Sequence, residues 1–191
     1  MFITELTEEQ LQGITLLYGT AASGKTTACL EALSARSIYI STNKNFNLER
    51  LRKLKPDADE IIRQLVLFEP KDLTEMEKAV TAATKLSSMA TILVVDSIAT
   101  FFRTAERKTA NLALHRMLKL LEEAKCPVLL TSEVYDYLRE SRHEFVGGDM
   151  LRVASRTIIE LKEGTATVKK HPLHTGRIWN YRITDKGLEK N

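Results

Sequence analysis

The chain has 191 residues, 43% hydrophobic and 28% charged, with a net charge of +3 and two cysteines. That balance suits one globular domain with a sizeable core and excludes disordered, fibrous and disulfide-stapled classes. No apolar run approaches the roughly 18 residues of a membrane span, and the acidic start (Glu5, Glu8, Glu9) does not read as a signal peptide, so a reduced, cytoplasmic protein is expected.

In chain order, Ile14–Tyr18 is predicted as a buried strand, Gly24–Ala35 as a helix and Ser37–Ile40 as a second strand. Leu65–Phe68 follows as a third strand. Asp72–Ser88 reads as a helix, with Asp72 and Glu75 spaced as an N-terminal cap. Ile92–Asp96 is a fourth strand. Leu112–Ala124 is a helix with Leu114, Met117, Leu118 and Leu121 on one face, and Val128–Thr131 is a fifth strand. Strands that are apolar throughout imply burial on both faces, as in a parallel sheet covered by helices. Thr157–Leu161, Thr165–Lys169 and Ile178–Ile183 are predicted as short antiparallel strands. The expected architecture is α/β, a mostly parallel sheet with a small antiparallel C-terminal extension. No linker, repeat or boundary divides it, so residues 1–191 are read as one domain.

Gly19-Thr20-Ala21-Ala22-Ser23-Gly24-Lys25-Thr26 fits G-x-x-x-x-G-K-[ST], with Thr27 following. The two glycines let the backbone curl so that N–H groups converge on phosphate oxygens. Lys25 is placed to neutralise phosphate charge and the Thr26 hydroxyl to ligate Mg²⁺. The plain alternative is a Gly/Ser-rich turn, but here the motif follows a predicted strand and opens a predicted helix. Ile92-Leu93-Val94-Val95-Asp96-Ser97 then offers a carboxylate at the tip of an apolar strand, the arrangement that holds Mg²⁺ directly or through water. ATP and Mg²⁺ are the expected cofactors.

Several stretches resemble RecA/RadA-type recombinases, in the same order along the chain. They are Tyr39–Leu51 after the second strand, Val94–Arg103 at the fourth, Pro127–Tyr135 at the fifth, Val146-Gly147-Gly148-Asp149, and Tyr181–Leu188. Within that superfamily the chain is most similar to the compact archaeal RadB group. The resemblance implies a RecA-like ATPase core acting in homologous recombination and DNA repair, with slow, DNA-dependent ATP hydrolysis. Two alternatives are a nucleotide-gated binding module that regulates a recombinase without significant hydrolysis, and a P-loop small-molecule kinase. The helical DNA-binding domain and the Phe-x-x-Ala linker of the larger recombinases do not fit in the dozen residues before Ile14. Phe102-Arg103-Thr104-Ala105 spells that motif, but beyond the metal-binding strand, where chance explains it.

The resemblance also implies roles. The family pattern Tyr-Ile-Asp-Thr-Glu-Gly places a water-orienting Glu where a gapless register puts Asn43; a shifted register is the alternative. An amide orients water but does not accept its proton. Glu133 stands where the family has Gln, and is a candidate substitute base. Lys25, Asn43 and Glu133 are therefore the catalytic candidates. Arg103, Arg107, Lys108, Arg139 and Arg142 correspond by position to DNA-binding loops, with Tyr135, Tyr137 and Phe145 as stacking candidates. The expected partner is DNA, in single-stranded form, with a RadA-type recombinase or another repair protein besides; self-association is left open. The segment from Lys162 to the end carries seven basic residues against three acidic ones, and its Lys169-Lys170-His171-Pro172-Leu173-His174 loop is a second candidate contact.

Overall fold

The computed structural model describes residues 13–44, 46–135, 144–145, 147–162 and 164–191. In chain order these form β1 (Ile14–Gly19), α1 (Lys25–Glu31), β2 (Ile38–Ser41), α2 (Leu48–Leu54), α3 (Ala58–Gln64), β3 (Val66–Phe68), α4 (Leu73–Leu86) and β4 (Leu93–Asp96). A 3₁₀ turn, Thr100–Arg103, precedes α5 (Arg107–Glu122), β5 (Val128–Tyr135), β6 (Glu144–Phe145) and α6 (Gly148–Ala154). Then come β7 (Ser155–Lys162), β8 (Thr165–Lys170), β9 (Ile178–Thr184) and β10 (Gly187–Lys190).

These strands form one sheet in the order β10-β9-β8-β7-β1-β5-β4-β2-β3, with β6 beside β5. From β3 to β7 every pairing is parallel; from β7 to β10 every pairing is antiparallel. The α/β class and the antiparallel C-terminal extension are therefore as expected. One strand has a second partner that the sequence reading lacks. Thr157–Leu161 lies within β7, which pairs antiparallel with β8 as expected and also runs parallel to β1, so that it joins the extension to the main sheet. The helix α6 supplies the reason, because it carries the chain back to the edge where parallel strands begin.

Successive residues of the central strands serve opposite faces. Leu16, Ile38, Ile40, Leu93, Val95 and Leu130 pack with Met76 and Val80 of α4 and with Leu114 and Met117 of α5. Leu17, Tyr39, Val94 and Leu129 pack on the other face with Cys29 of α1, Leu51 of α2, Ile61 of α3 and Trp179 of β9. Each such aliphatic side chain contributes roughly 1.5–3 kcal/mol when fully buried.

The helix boundaries have local causes. Asp72 accepts the Glu75 N–H at 2.8 Å and Glu75 returns a bond to the Lys71 N–H at 2.9 Å, starting α4. The sequence reading lacks α2 and α3. Asn47 caps the first by accepting the Arg50 N–H at 2.9 Å, and Pro56 separates the two. The first helix ends at Glu31, short of the predicted Ala35, because Ser37 draws the Ser34 carbonyl into a turn at 2.7 Å.

Candidate nucleotide site

β1, β4 and β5 end at the same edge of the sheet. Gly19 is in register with Glu133, and Ser41 of β2 with Asp96 of β4, so the polar tips converge where a crevice forms in open α/β sheets. At Gly19 a Cβ would lie 2.1 Å from the Leu161 carbonyl oxygen, so β7 approaches too closely for any side chain. Gly24 has a φ of +94°, and a Cβ there would meet Leu188 at 2.8 Å. Between them Ala22 also adopts a left-handed φ of 59°. The loop is thereby curled into a cradle at the start of α1.

Lys25 turns back over this cradle, its Nζ donating to the carbonyls of Gly19 at 2.9 Å and Thr20 at 2.7 Å. Burial pushes the ammonium below the ordinary lysine value, while the carboxylates of Glu133 and Asp96 pull it back up. The Asp96 carboxylate is buried and accepts three hydroxyl hydrogen bonds. Thr26 Oγ1 and Tyr39 OH reach one oxygen at 2.9 Å each, and Thr131 Oγ1 reaches the other at 2.8 Å. Hydroxyls satisfy a buried carboxylate without neutralising it, so its charge remains available to a cation.

A cavity of about 390 Å³ opens over these groups, lined among others by Lys25, Thr26, Asn43, Asp96, Ser97 and Glu133. That size lies in the ordinary range of small-ligand sites. Ala21, Ala22, Gly24 and Thr27 complete the loop side, and Thr131 and Ile183 the far side. Thus the structure brings together Lys25, Thr26, Asn43, Asp96 and Glu133, which the sequence separates by more than 100 positions. Gly19, Thr20 and Ser23 shape the loop from behind.

The antiparallel extension supports that loop. Tyr181 OH donates to the Ser23 carbonyl at 2.6 Å, and burial pushes its phenol up to about 12. Glu31 of α1 accepts the Leu188 N–H at 2.8 Å, and Arg50 of α2 holds the carbonyls of Thr184 and Asp185 at 2.6 and 3.0 Å. Tyr39, Thr131, Tyr181 and Ile183 are site residues that sequence reasoning missed. For Tyr39 and Thr131 the available signal was a polar group inside an otherwise apolar strand.

The other candidates separate. Arg107 and Lys108 are exposed on the first turn of α5, whose first turn contains no acidic residue. Arg139, Arg142 and Tyr137 lie outside the described residues, as do the side chains of Arg103, Tyr135 and Phe145. Phe102 packs against the core rather than standing free as a docking motif. The basic loop near the end is largely occupied. Lys169 pairs with Glu160 at 2.8 Å, and Lys170 Nζ donates to the carbonyls of Arg152 at 2.8 Å and Ser155 at 2.6 Å, closing the end of α6. His171 Nδ1 accepts the N–H groups of Leu173 and His174 at 3.0 Å, a turn-forming role. Among the described residues no group of three or more His, Cys, Asp or Glu is placed to hold a metal ion. The donor set for a cation here is Thr26 with Asp96, which suits Mg²⁺, an ion that takes few protein ligands and fills its shell with water and phosphate oxygens. Cys29 and Cys126 are buried thiols, and burial pushes Cys126 up to about 11. No described helix is long and apolar enough to cross a membrane.

No protein-family model matches the chain. The chain is 31% identical over 199 residues to the DNA repair and recombination protein RadB of Methanoculleus marisnigri, covering 93% of this chain and 88% of that one. To the protein of the same description from Thermococcus kodakarensis it is 30% identical over 198 residues, covering 92% and 89%. A crystal structure of the RadB recombinase superposes with a TM-score of 0.77 at 24% identity, over 94% of this chain and 90% of that chain. The last comparison shows the shared RecA-like fold.

Proposed function

The chain belongs to the RadB family of DNA repair and recombination proteins, and on that premise we propose that it serves recombination and repair as an accessory protein that binds ATP and hydrolyses it slowly in response to DNA. One observation carries the reading. Thr26, at the start of the cradle helix, meets Asp96 at 2.9 Å across the mouth of the cavity, although 70 positions separate them. That contact sets a hydroxyl and a carboxylate side by side next to a loop closed to side chains by Gly19 and Gly24.

In this reading Thr26 and Asp96 hold magnesium, which when bound offsets phosphate charge. Lys25 releases the Gly19 and Thr20 carbonyls and binds phosphate instead, regaining an anionic partner for its partly desolvated ammonium. Loop N–H groups bind phosphate oxygens. Asn43 orients the attacking water, and Glu133 accepts its proton. Because Asn43 supplies no base and Glu133 approaches from another strand, turnover is slow; a general base is typically worth about 10²–10⁴-fold. Arg107 and Lys108, with Arg103, Arg139 and Arg142, contact DNA. Two cations on the first turn of a helix oppose its dipole by up to about 1 kcal/mol each, which an external phosphate backbone relieves. The described helices and the family assignment suit a protein working beside DNA in the cytoplasm, with a RadA-type recombinase as the protein partner.

Asn43 favours a second reading, in which the protein is a nucleotide-gated module and hydrolysis is incidental. ATP hydrolysis measured with and without single-stranded DNA across a salt series separates the two. DNA-stimulated phosphate release that fades with rising salt is expected. Nucleotide-dependent capture of a recombinase with no release would favour the module, and phosphorylation of a small acceptor would favour neither.

A further inference from the structure

Thr42 follows β2 and stands one position before Asn43, yet it does not line the cavity and is only 6% exposed. Its Oγ1 lies 2.8 Å from the Asp96 carbonyl oxygen, 2.9 Å from the Ser97 carbonyl oxygen and 2.7 Å from Thr100 Oγ1. Thr100 Oγ1 in turn lies 3.1 Å from the Ser97 carbonyl. Two hydroxyls own two protons, and four contacts compete for them. In one arrangement Thr42 donates to Asp96 while Thr100 donates to Ser97. In another, Thr42 donates to Ser97 while Thr100 donates to Thr42, and the Asp96 carbonyl keeps only the Thr42 N–H at 3.4 Å. Thr42 donating to Asp96 while Thr100 donates to Thr42 fits as well, so the two hydroxyls have several proton arrangements open to them within one fixed geometry.

What it holds is already strained. Ser97 has a φ of 70°, a left-handed backbone uncommon for serine, and its N–H is pinned to Thr131 Oγ1 at 2.7 Å. The same Thr131 hydroxyl donates to the Asp96 carboxylate. Ser97 lines the cavity, whereas Thr100 opens the 3₁₀ turn that leads into α5, with Arg107 and Lys108 at its start. Thr42 therefore touches both sides.

We propose that Thr42 is a positioning residue that links the nucleotide cavity to the Thr100–Arg103 turn, so that filling the cavity selects one hydroxyl arrangement and orders the turn and the start of α5. This rests on the ATP-binding reading above and specifies its regulation. Coupling between sites typically amounts to about 5–150-fold, and it needs an element with alternative arrangements that both sites bias.

Hydrogen exchange of the full chain with and without Mg-ATP tests it. In the wild type, nucleotide is expected to slow exchange at Gly19–Thr26 and, by about fivefold or more, at residues 97–104. Thr42→Val should keep the first effect and lose the second, and Thr42→Ser should restore it. Thr100→Val, which removes the partner hydroxyl, should reproduce the loss if Thr42→Val fails to fold. Protection of 97–104 that persists in Thr42→Val or Thr100→Val overturns the link and leaves the ATP reading standing. A wild type with no protection of Gly19–Thr26 overturns the ATP reading, and the link falls with it.

Discussion

Two regions of the molecule carry concentrated charge and put it to different use. At the carboxyl edge of the parallel strands, Lys25, Asp96 and Glu133 arrive from three elements and face one cavity. In the antiparallel extension, Lys169, Lys170 and Arg182 are each taken up locally, by Glu160, by the end of α6 and by Glu189. A count of basic residues singles out the second region, yet convergence marks the first. Charges that neutralise one another within a sheet are structural; charges that converge on one cavity face whatever enters it.

The comparison is most easily broken at Asn43. Asn43→Glu is expected to raise ATP turnover by roughly 10²-fold or more, the low end of what a general base contributes, and Glu133→Gln to lower it. A phosphate-release assay on both variants checks this, and equal rates in all three proteins would break the assignment of Asn43 and Glu133 to the reaction.

The extension side is sharpened by Lys170→Ala. It leaves the last carbonyls of α6 without their cation and should lower unfolding stability by about 1–2 kcal/mol in urea titrations, the scale of a charge-assisted bond at a half-exposed position. DNA affinity should not change. Replacing Arg107 and Lys108 together by Ala should do the reverse, lowering the slope of DNA affinity against salt by about 2 while raising stability by up to about 2 kcal/mol, as the helix dipole loses two opposing cations. A DNA titration in which Lys170 matters and the Arg107/Lys108 pair does not would invert the comparison.

A smaller effect concerns protons. Lys25 sits below its ordinary value through burial, and an anionic ligand would raise it. Between the lowered free value and the raised bound value, binding takes up a proton, so ATP affinity should fall as pH climbs through that alkaline window. Calorimetry in two buffers of different ionisation enthalpy reads the proton directly. Proton release on binding would have the wrong sign.

What was legible in the sequence was whatever is local to it. The cradle residues Gly19–Thr26 are contiguous, and Asp96 ends an unbroken apolar strand, so both declare themselves without a fold. The parallel pairing of β7 with β1 was not legible, because residue pattern does not name a strand's second neighbour and β1 lies far away in sequence. Tyr181 belongs to the site only because the extension folds back behind Ser23, a contact spanning 158 positions. Short helices such as α2 and α3 carry few turns of pattern, and Asn47 and Pro56 were their only marks.

The central claim is that the curled loop and Asp96 form a single binding site for a nucleotide and its cation. Calorimetric titration of Mg-ATP into the wild type and into Lys25→Ala addresses it most directly. One nucleotide per chain with the wild type, and affinity lost in Lys25→Ala and weakened when Mg²⁺ is chelated, is the result predicted. Wild-type protein that binds no nucleotide, or binds it equally well without Lys25, would contradict it.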